Sequence, residues 1–179
     1  MGRLRPIEPL SEPLGDGVVA VRLRRESDLH AIGAASHDSD TRRWLNDTPM
    51  DEAARSTSMS RVEEAWRTGQ AAPLVIADAM TEEPTGIINL QFRADDVATI
   101  AYSVFPAHRG RGIAPRAVQL VVTWALRDLG LTQILLEAAA ENTASVRVDE
   151  KCQFHRIDSR IEASAEGHHM MIVFACTKN

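Results

Sequence analysis

Apolar positions recur along this chain at two spacings, and the spacing changes in blocks. Val18 to Leu23 is a short β-branched run that predicts a first strand. Leu29, Ile32 and Ala35 then fall three residues apart, which predicts a helix capped by Ser27 or Asp28. A polar stretch from His37 to Asp40 leads into Thr41 to Leu45 and a turn at Asn46 to Pro49. Asp51 to Thr68 predicts a longer helix with Ala54, Val62, Ala65 and Trp66 on its apolar side and Gly69 as its stop. Three strand-like runs follow, Leu74 to Asp78, Thr85 to Phe92 and Val97 to Val104, joined by short polar turns. Such spacing predicts an antiparallel meander.

The pattern then switches period. From about Ala114 to Leu129 the polar residues Arg116, Gln119, Thr123 and Arg127 form one narrow stripe, and nearly every other position is apolar. A helix with so thin a wet face packs on a sheet and is covered elsewhere as well. Gly130 is its expected stop. Gln133 to Ala139 returns to period two, with Ile134, Leu136 and Ala138 on one face. Strand, helix, strand in this order allows a parallel crossover. Asn142 to Lys151 predicts a short helix. Arg160 to Ala163 and Met170 to Cys176 predict two strands around Glu166 and Gly167.

Between the fourth strand and the buried helix lies Phe105-Pro106-Ala107-His108-Arg109-Gly110-Arg111-Gly112-Ile113-Ala114-Pro115. A helix start carries N–H groups without intrahelical partners and the positive end of the helix dipole, which together favour an anion. Gly110 and Gly112 let the backbone take a positive φ and approach a ligand with no Cβ in the way. Pro115 suits the first turn of a helix. Arg109 and Arg111 add charge that suits a pyrophosphate. A merely flexible basic turn is the alternative for Arg-Gly-Arg-Gly taken alone.

Arg109 to Ala114 resembles the Arg/Gln-x-x-Gly-x-Gly/Ala signature of the GNAT acyltransferases, which bind acetyl-CoA. Pro106 to Gly112, together with Glu141 to Val148, Glu150-Lys151-Cys152 and Phe154, is similar to the branch that includes the ribosomal-protein N-terminal acetyltransferases. Arg42 to Leu45 and Ala65-Trp66 are similar more loosely. The resemblance implies an α/β (α+β) domain over residues 18–179, after an irregular lead-in at 1–17. Its sheet is mixed and mostly antiparallel, with helices on both faces and a splay between the fourth and fifth strands. It implies acetyl-CoA-dependent N-acetylation of a primary amine by direct attack on the thioester. A protein N-terminus is the favoured acceptor and a small amine the next. A CoA-binding sensor or scaffold without catalysis is the alternative.

On that resemblance, main-chain atoms of Ser103, Val104 and Phe105 contact the pantetheine and thioester. Arg109, Gly110, Arg111, Gly112, Ile113 and Ala114 take the pyrophosphate. Asn142 either caps its helix, as asparagine does well, or touches the cofactor arm, or does both. Ser145 is either an exposed helix residue or the donor to the leaving thiol. Tyr102, the sole tyrosine, is a candidate acid that could simply pack. Glu137 interrupts an apolar strand: a charge on the strand's solvent side is the commoner explanation, while burial would raise its pKa and suit it as a base; Glu141 is an equal rival, and His108 fits a surface residue better than a base. The two early helices form one wall of the acceptor site in the family. Trp44 and Trp66 fit buried packing better than acceptor contact. The branch places glycine after the Cys of Glu-Lys-Cys, where it ends the last helix at positive φ; this chain has Gln153, for which that conformation is costly.

Charge and cysteine content narrow the partners. A net charge of −5 and a pI near 5.7 argue against broad nucleic-acid binding. His168-His169 has no further ligands at a fitting spacing, so no metal site is expected. The first 17 residues lack the apolar core of a signal peptide, and no run is long enough to span a membrane. A cytoplasmic location is expected, with Cys152 and Cys176 as reduced thiols and with homodimer formation left open.

Overall fold

The computed structural model describes residues 6–45, 49–164 and 167–178, without the side chains of Trp44, Leu45 and Ser164. The expected turn at Asn46 to Pro49 and the tight turn at Glu166 fall largely outside that description. Eight strands form one sheet in the order β1-β2-β3-β4-β5-β6-β8-β7. They are β1 Leu14–Gly15, β2 Val19–Leu23, β3 Ala71–Asp78, β4 Pro84–Phe92, β5 Val97–Val104, β6 Gln133–Ala139, β7 His155–Ser164 and β8 Gly167–Thr177. Five α-helices accompany them among the described residues: α1 Leu29–Ala35, α2 Ser39–Leu45, α3 Glu52–Thr68, α4 Ile113–Arg127 and α5 Thr143–Lys151. Every pairing is antiparallel except β5 with β6, the expected parallel crossover through α4.

The stretch ahead of Val18 packs on this domain. Leu14 and Gly15 pair with Val21 and Ala20, and Ile7 is buried in the core.

Alternation along the strands sends side chains into two cores, one on each face of the sheet. Leu74, Ile76, Ile88, Leu90, Ile100, Ile134 and Leu136 join Ala117, Val118, Val121 and Ala125 of α4 in the larger core. Val75 and Phe105 join Leu29, Ile32 and Ala35 of α1 in the smaller. Leu74 to Ala77 are all buried, as a strand covered on both faces requires. Arg116, Gln119, Thr123 and Arg127 are the exposed stripe on α4, as their spacing predicts. Trp66 is buried and packs on Trp124 with ring centroids 6.4 Å apart, so it is a core residue. The side chain of Trp44 lies outside the description.

Helix ends follow local chemistry, with two departures. Asp51 caps α3 by accepting from Ala54 N–H at 2.7 Å, and Gly69 closes it at φ 69°. Asp28, in contrast, does not cap α1. Its carboxylate is buried and takes two hydrogen bonds from Arg22, at 2.8 and 2.9 Å, and one from Arg25 N–H. Burial alone would raise its pKa; these bonds outweigh burial and hold it below the usual value. The second departure is α4, which ends at Arg127, earlier than Leu129, with Gly130 at φ 70° reversing the chain beyond it.

Candidate active site

The β5–β6 ladder runs from Val97–Gln133 to Ile100–Leu136 and then stops. Beyond that point β5 keeps its pairing with β4, up to Gly86–Val104, while β6 keeps its pairing with β8. The two strands therefore diverge, and the edge of β5 facing β6 loses its ladder partner after Ile100. This is the expected splay. Gly86 makes the close approach on the other side of β5 workable: a Cβ there would lie 2.5 Å from Ser103 O.

A cavity of about 400 Å³ fills the splay. The ends of β5 and β6 form its walls, the glycine loop and start of α4 one end, and α5 the other. Its size is that of an ordinary small-molecule site.

The glycine loop has the geometry its sequence predicts. Gly110 and Gly112 both sit in the left-handed region, at φ 76° and 71°, with open space where a Cβ would stand. Gly112 is the residue from which α4 starts. Among the described residues, none of the N–H groups from Gly110 to Ala114 donates to a loop or strand. These donors, the open space beside them and the helix dipole fit a phosphate group.

Arg109 is differently engaged. Its guanidinium donates to Asp38 at 2.7 Å, to Thr41 Oγ1 at 3.2 Å and, through Nε, to Val104 O at 3.2 Å. It clamps the loop to the start of α2. The Arg109 hydrogen bond is the main reason the Asp38 carboxyl is held at about 2, with the Thr41 N–H next. Arg111 is exposed and lies off the cavity wall.

Ser103 and Val104 line the cavity, whereas Phe105 does not. The Phe105 N–H donates to Thr85 O at 2.8 Å, its carbonyl accepts from His108 N–H, and its ring is buried in the smaller core. Both main-chain groups that the resemblance assigns to a ligand are therefore already paired at this residue.

At the far end, Tyr102 and Ser145 meet. Their hydroxyl oxygens are 3.0 Å apart, joining β5 to α5 across the splay. Asn142 caps α5, its side-chain oxygen accepting from Ser145 N–H at 3.3 Å, and it also lines the cavity. Burial is the first cause that pushes the Tyr102 phenol up, with the nearby Asp149 charge next, so the phenol keeps its proton. Ser145 and Tyr102 can thus act only as hydroxyls, donating to or accepting from whatever occupies the cavity.

Glu137 takes the solvent-side alternative at the cavity wall. It is exposed, and its carboxylate accepts from Arg160 at 2.8 Å, which occupies an oxygen a base would use. Glu141 lies 3.0 Å from His169 Nδ1. His108 lines the cavity, with Glu83 3.9 Å from its Nε2. Among the described residues no group of three metal-ligating side chains comes together. Both cysteines are free.

Asp149 is the residue that sequence reasoning passed over. It lies in a charged run, Asp149-Glu150-Lys151, that reads as a wet helix face, yet it is 0% exposed. Only its spacing of four from Ser145 could have placed it on the inward side.

A splayed sheet with a phosphate-shaped loop opening a buried helix defines the class, and the comparisons agree. The chain belongs to the GNAT acetyltransferase family: the family model described as "Acetyltransferase (GNAT) domain" matches residues 19–155. The Bacillus subtilis (strain 168) Probable N-acetyltransferase YjcK is 36% identical over 81 residues, which cover 42% of this chain and 45% of that relative. The chain thus matches less than half of that relative's length. Two solved structures share the fold at low identity. Spermidine N-acetyltransferase from Vibrio cholerae, in complex with CoA and spermine, has a TM-score of 0.80 at 17% identity, covering 90% of this chain and 96% of that one. Ribosomal-protein-S5-alanine acetyltransferase from Vibrio fischeri has a TM-score of 0.79 at 16% identity, covering 94% and 98%. No helix among the described residues is long and apolar enough to cross a membrane.

Proposed function

We propose that this N-acetyltransferase binds acetyl-CoA in the splay and transfers the acetyl group directly to a primary amine, with a protein N-terminus as the favoured acceptor. One observation carries the reading. The cavity joins unpaired N–H groups at the mouth of α4 to the Tyr102–Ser145 hydroxyl pair, along a strand edge with no ladder partner.

Each part has a chemical task. The N–H groups from Gly110 to Ala114 hold the diphosphate. The open edge of β5 at Val104, with Ser103 beside it on the cavity wall, hydrogen-bonds the pantetheine arm and the thioester oxygen, where negative charge develops as the amine attacks. Ser145, backed by Tyr102, donates to the departing sulfur. Amines are mostly protonated at neutral pH, so the acceptor must first lose a proton. Glu137 lines the cavity but is held by Arg160, so His108 is the candidate base on the cavity wall left for that task, directly or through water; Glu141 is off that wall, beside His169.

The protein N-terminus is favoured by the resemblance of Pro106–Gly112 and Glu141–Phe154 to the ribosomal-protein branch. A small amine comes second, in keeping with the spermidine acetyltransferase of the same fold. Thiol release from acetyl-CoA, measured across N-terminal peptides and small polyamines, tests the reading. Turnover is expected with peptides bearing a free α-amine. Tight CoA binding with no thiol release from any amine would instead support the sensor or scaffold reading.

A further inference from the structure

Asp149 is buried beneath the hydroxyl pair, and nothing holds its charge. Both carboxylate oxygens are shielded from solvent and neither has a formed hydrogen bond. An ionised carboxylate left this way is strongly disfavoured. Its position is specific: four residues after Ser145 on α5, on the helix side that faces Tyr102 of β5.

The surroundings favour a neutral acid. Burial comes first among the causes that push Asp149 up to about 7, with the Glu150 charge next, while the Tyr102 hydroxyl pulls the other way. Each of Asp149 and Tyr102 is felt in the ionisation of the other, though the hydroxyl stops short of a formed hydrogen bond. Cys152, three residues on, is pushed up to about 11 by burial and then by Asp149, and its Sγ–H donates to Pro115 O at the start of α4. On the elements beside α5, Arg116 of α4 is held by Asp16 and Glu137 of β6 by Arg160. No described cation pairs with Asp149.

We propose that Asp149 is the buried proton donor behind the Tyr102–Ser145 pair, feeding a hydroxyl relay that ends at the departing sulfur. The inference rests on the acetyl-transfer reading above. As the bond between acetyl carbon and sulfur breaks, the Ser145 hydroxyl gives its proton to sulfur. Ser145 takes the Tyr102 proton, and Tyr102 takes the Asp149 proton. One proton leaves the carboxyl and one arrives on the thiol. The attacking nitrogen releases one proton to water, and after the products leave Asp149 recovers one from water in the cavity, back through the Ser145 and Tyr102 hydroxyls that line it. The direction is downhill, because a thiol holds its proton more tightly than an acid near 7. Asp149 does not touch the substrate; it acts through Tyr102 and is a positioning residue.

Two measurements on the full chain test this. In the first, the carboxyl ¹³C resonance of Asp149, assigned with D149N, is titrated in the wild type and in Y102F. The relay requires a midpoint near neutrality that moves upward in Y102F. A midpoint in the ordinary carboxyl range of about 4, or one indifferent to Y102F, overturns it. In the second, D149N is expected to lower kcat about 100-fold while both KM values stay within about twofold, and to lose the alkaline fall in kcat. An active wild type beside an unimpaired D149N, or a loss confined to KM, overturns the relay alone. A wild type that releases no thiol with any amine overturns the acetyl-transfer reading and the relay with it.

Discussion

Single residues carry the chemistry here through what holds them. Tyr102 and Ser145 lie 43 residues apart in sequence, and a 3.0 Å contact across the splay makes them one unit. Removing the Ser145 hydroxyl leaves its N–H on Asn142, so the cap of α5 survives in S145A. That variant is expected to keep its affinity for acetyl-CoA and to lose about 100-fold in kcat, the scale of a positioned proton donor. Steady-state thiol release checks this, and an unchanged kcat would remove Ser145 from the mechanism. Arg109 shows the opposite relation. It reads as a phosphate ligand, yet Asp38, 71 residues away, and Thr41 claim its guanidinium and turn it into a clamp. On the proposed reading the backbone amides of the loop are then the principal anion donors.

The element that matters most is the loop-to-helix junction at α4. Gly112 stands at φ 71° with empty space around a would-be Cβ. Replacing it with glutamate adds left-handed strain of about 1–2 kcal/mol but no clash within the fold. It also puts a carboxylate where the diphosphate is expected to bind. G112E should therefore remain folded and lose its thermal stabilisation by acetyl-CoA, and a retained shift would place the diphosphate elsewhere. The end of α5 offers an independent check. Gln153 sits at φ 64°, as its position after Cys152 predicts. Glycine relieves that strain but also loosens the unfolded chain. Q153G is expected to gain about 0.5–1 kcal/mol, or about 2 °C in Tm, in a thermal melt. A destabilised Q153G would mean that the glutamine side chain does more than tolerate the turn.

At the scale of the whole molecule, Asp149 links proton uptake to folding. Its carboxyl rises from 3.8 to about 7 on folding, so the folded chain holds that proton more tightly than the unfolded one. The associated stability is fully present below about pH 4 and is lost as pH rises through about 7. D149N lacks this dependence. Its stability relative to the wild type should grow between pH 5 and pH 8 in urea unfolding, and a gap constant with pH would contradict the assignment.

Much of this architecture is legible from hydrophobic spacing. The thin polar stripe on α4, the alternation on β6 and the all-apolar run of β3 each fix which faces are covered. The glycine loop is legible because positive φ and open amides need those residue types. What escapes is set by distant contacts: the capture of Arg109 by Asp38, the pairing of Phe105 with Thr85, and the diversion of Glu137 to Arg160. Asp149 escapes because an acidic residue in a charged run reads as solvated until α5 is docked on β5.

The central claim is that the diphosphate of acetyl-CoA sits on the amides of Gly110 to Ala114, with its thioester in the splay beside Ser145. A crystal structure of the chain with acetyl-CoA tests it most directly. The account predicts the diphosphate at the start of α4 and the sulfur within hydrogen-bonding reach of Ser145 Oγ. A diphosphate bound away from the glycine loop, or a sulfur turned away from the hydroxyl pair, would contradict it.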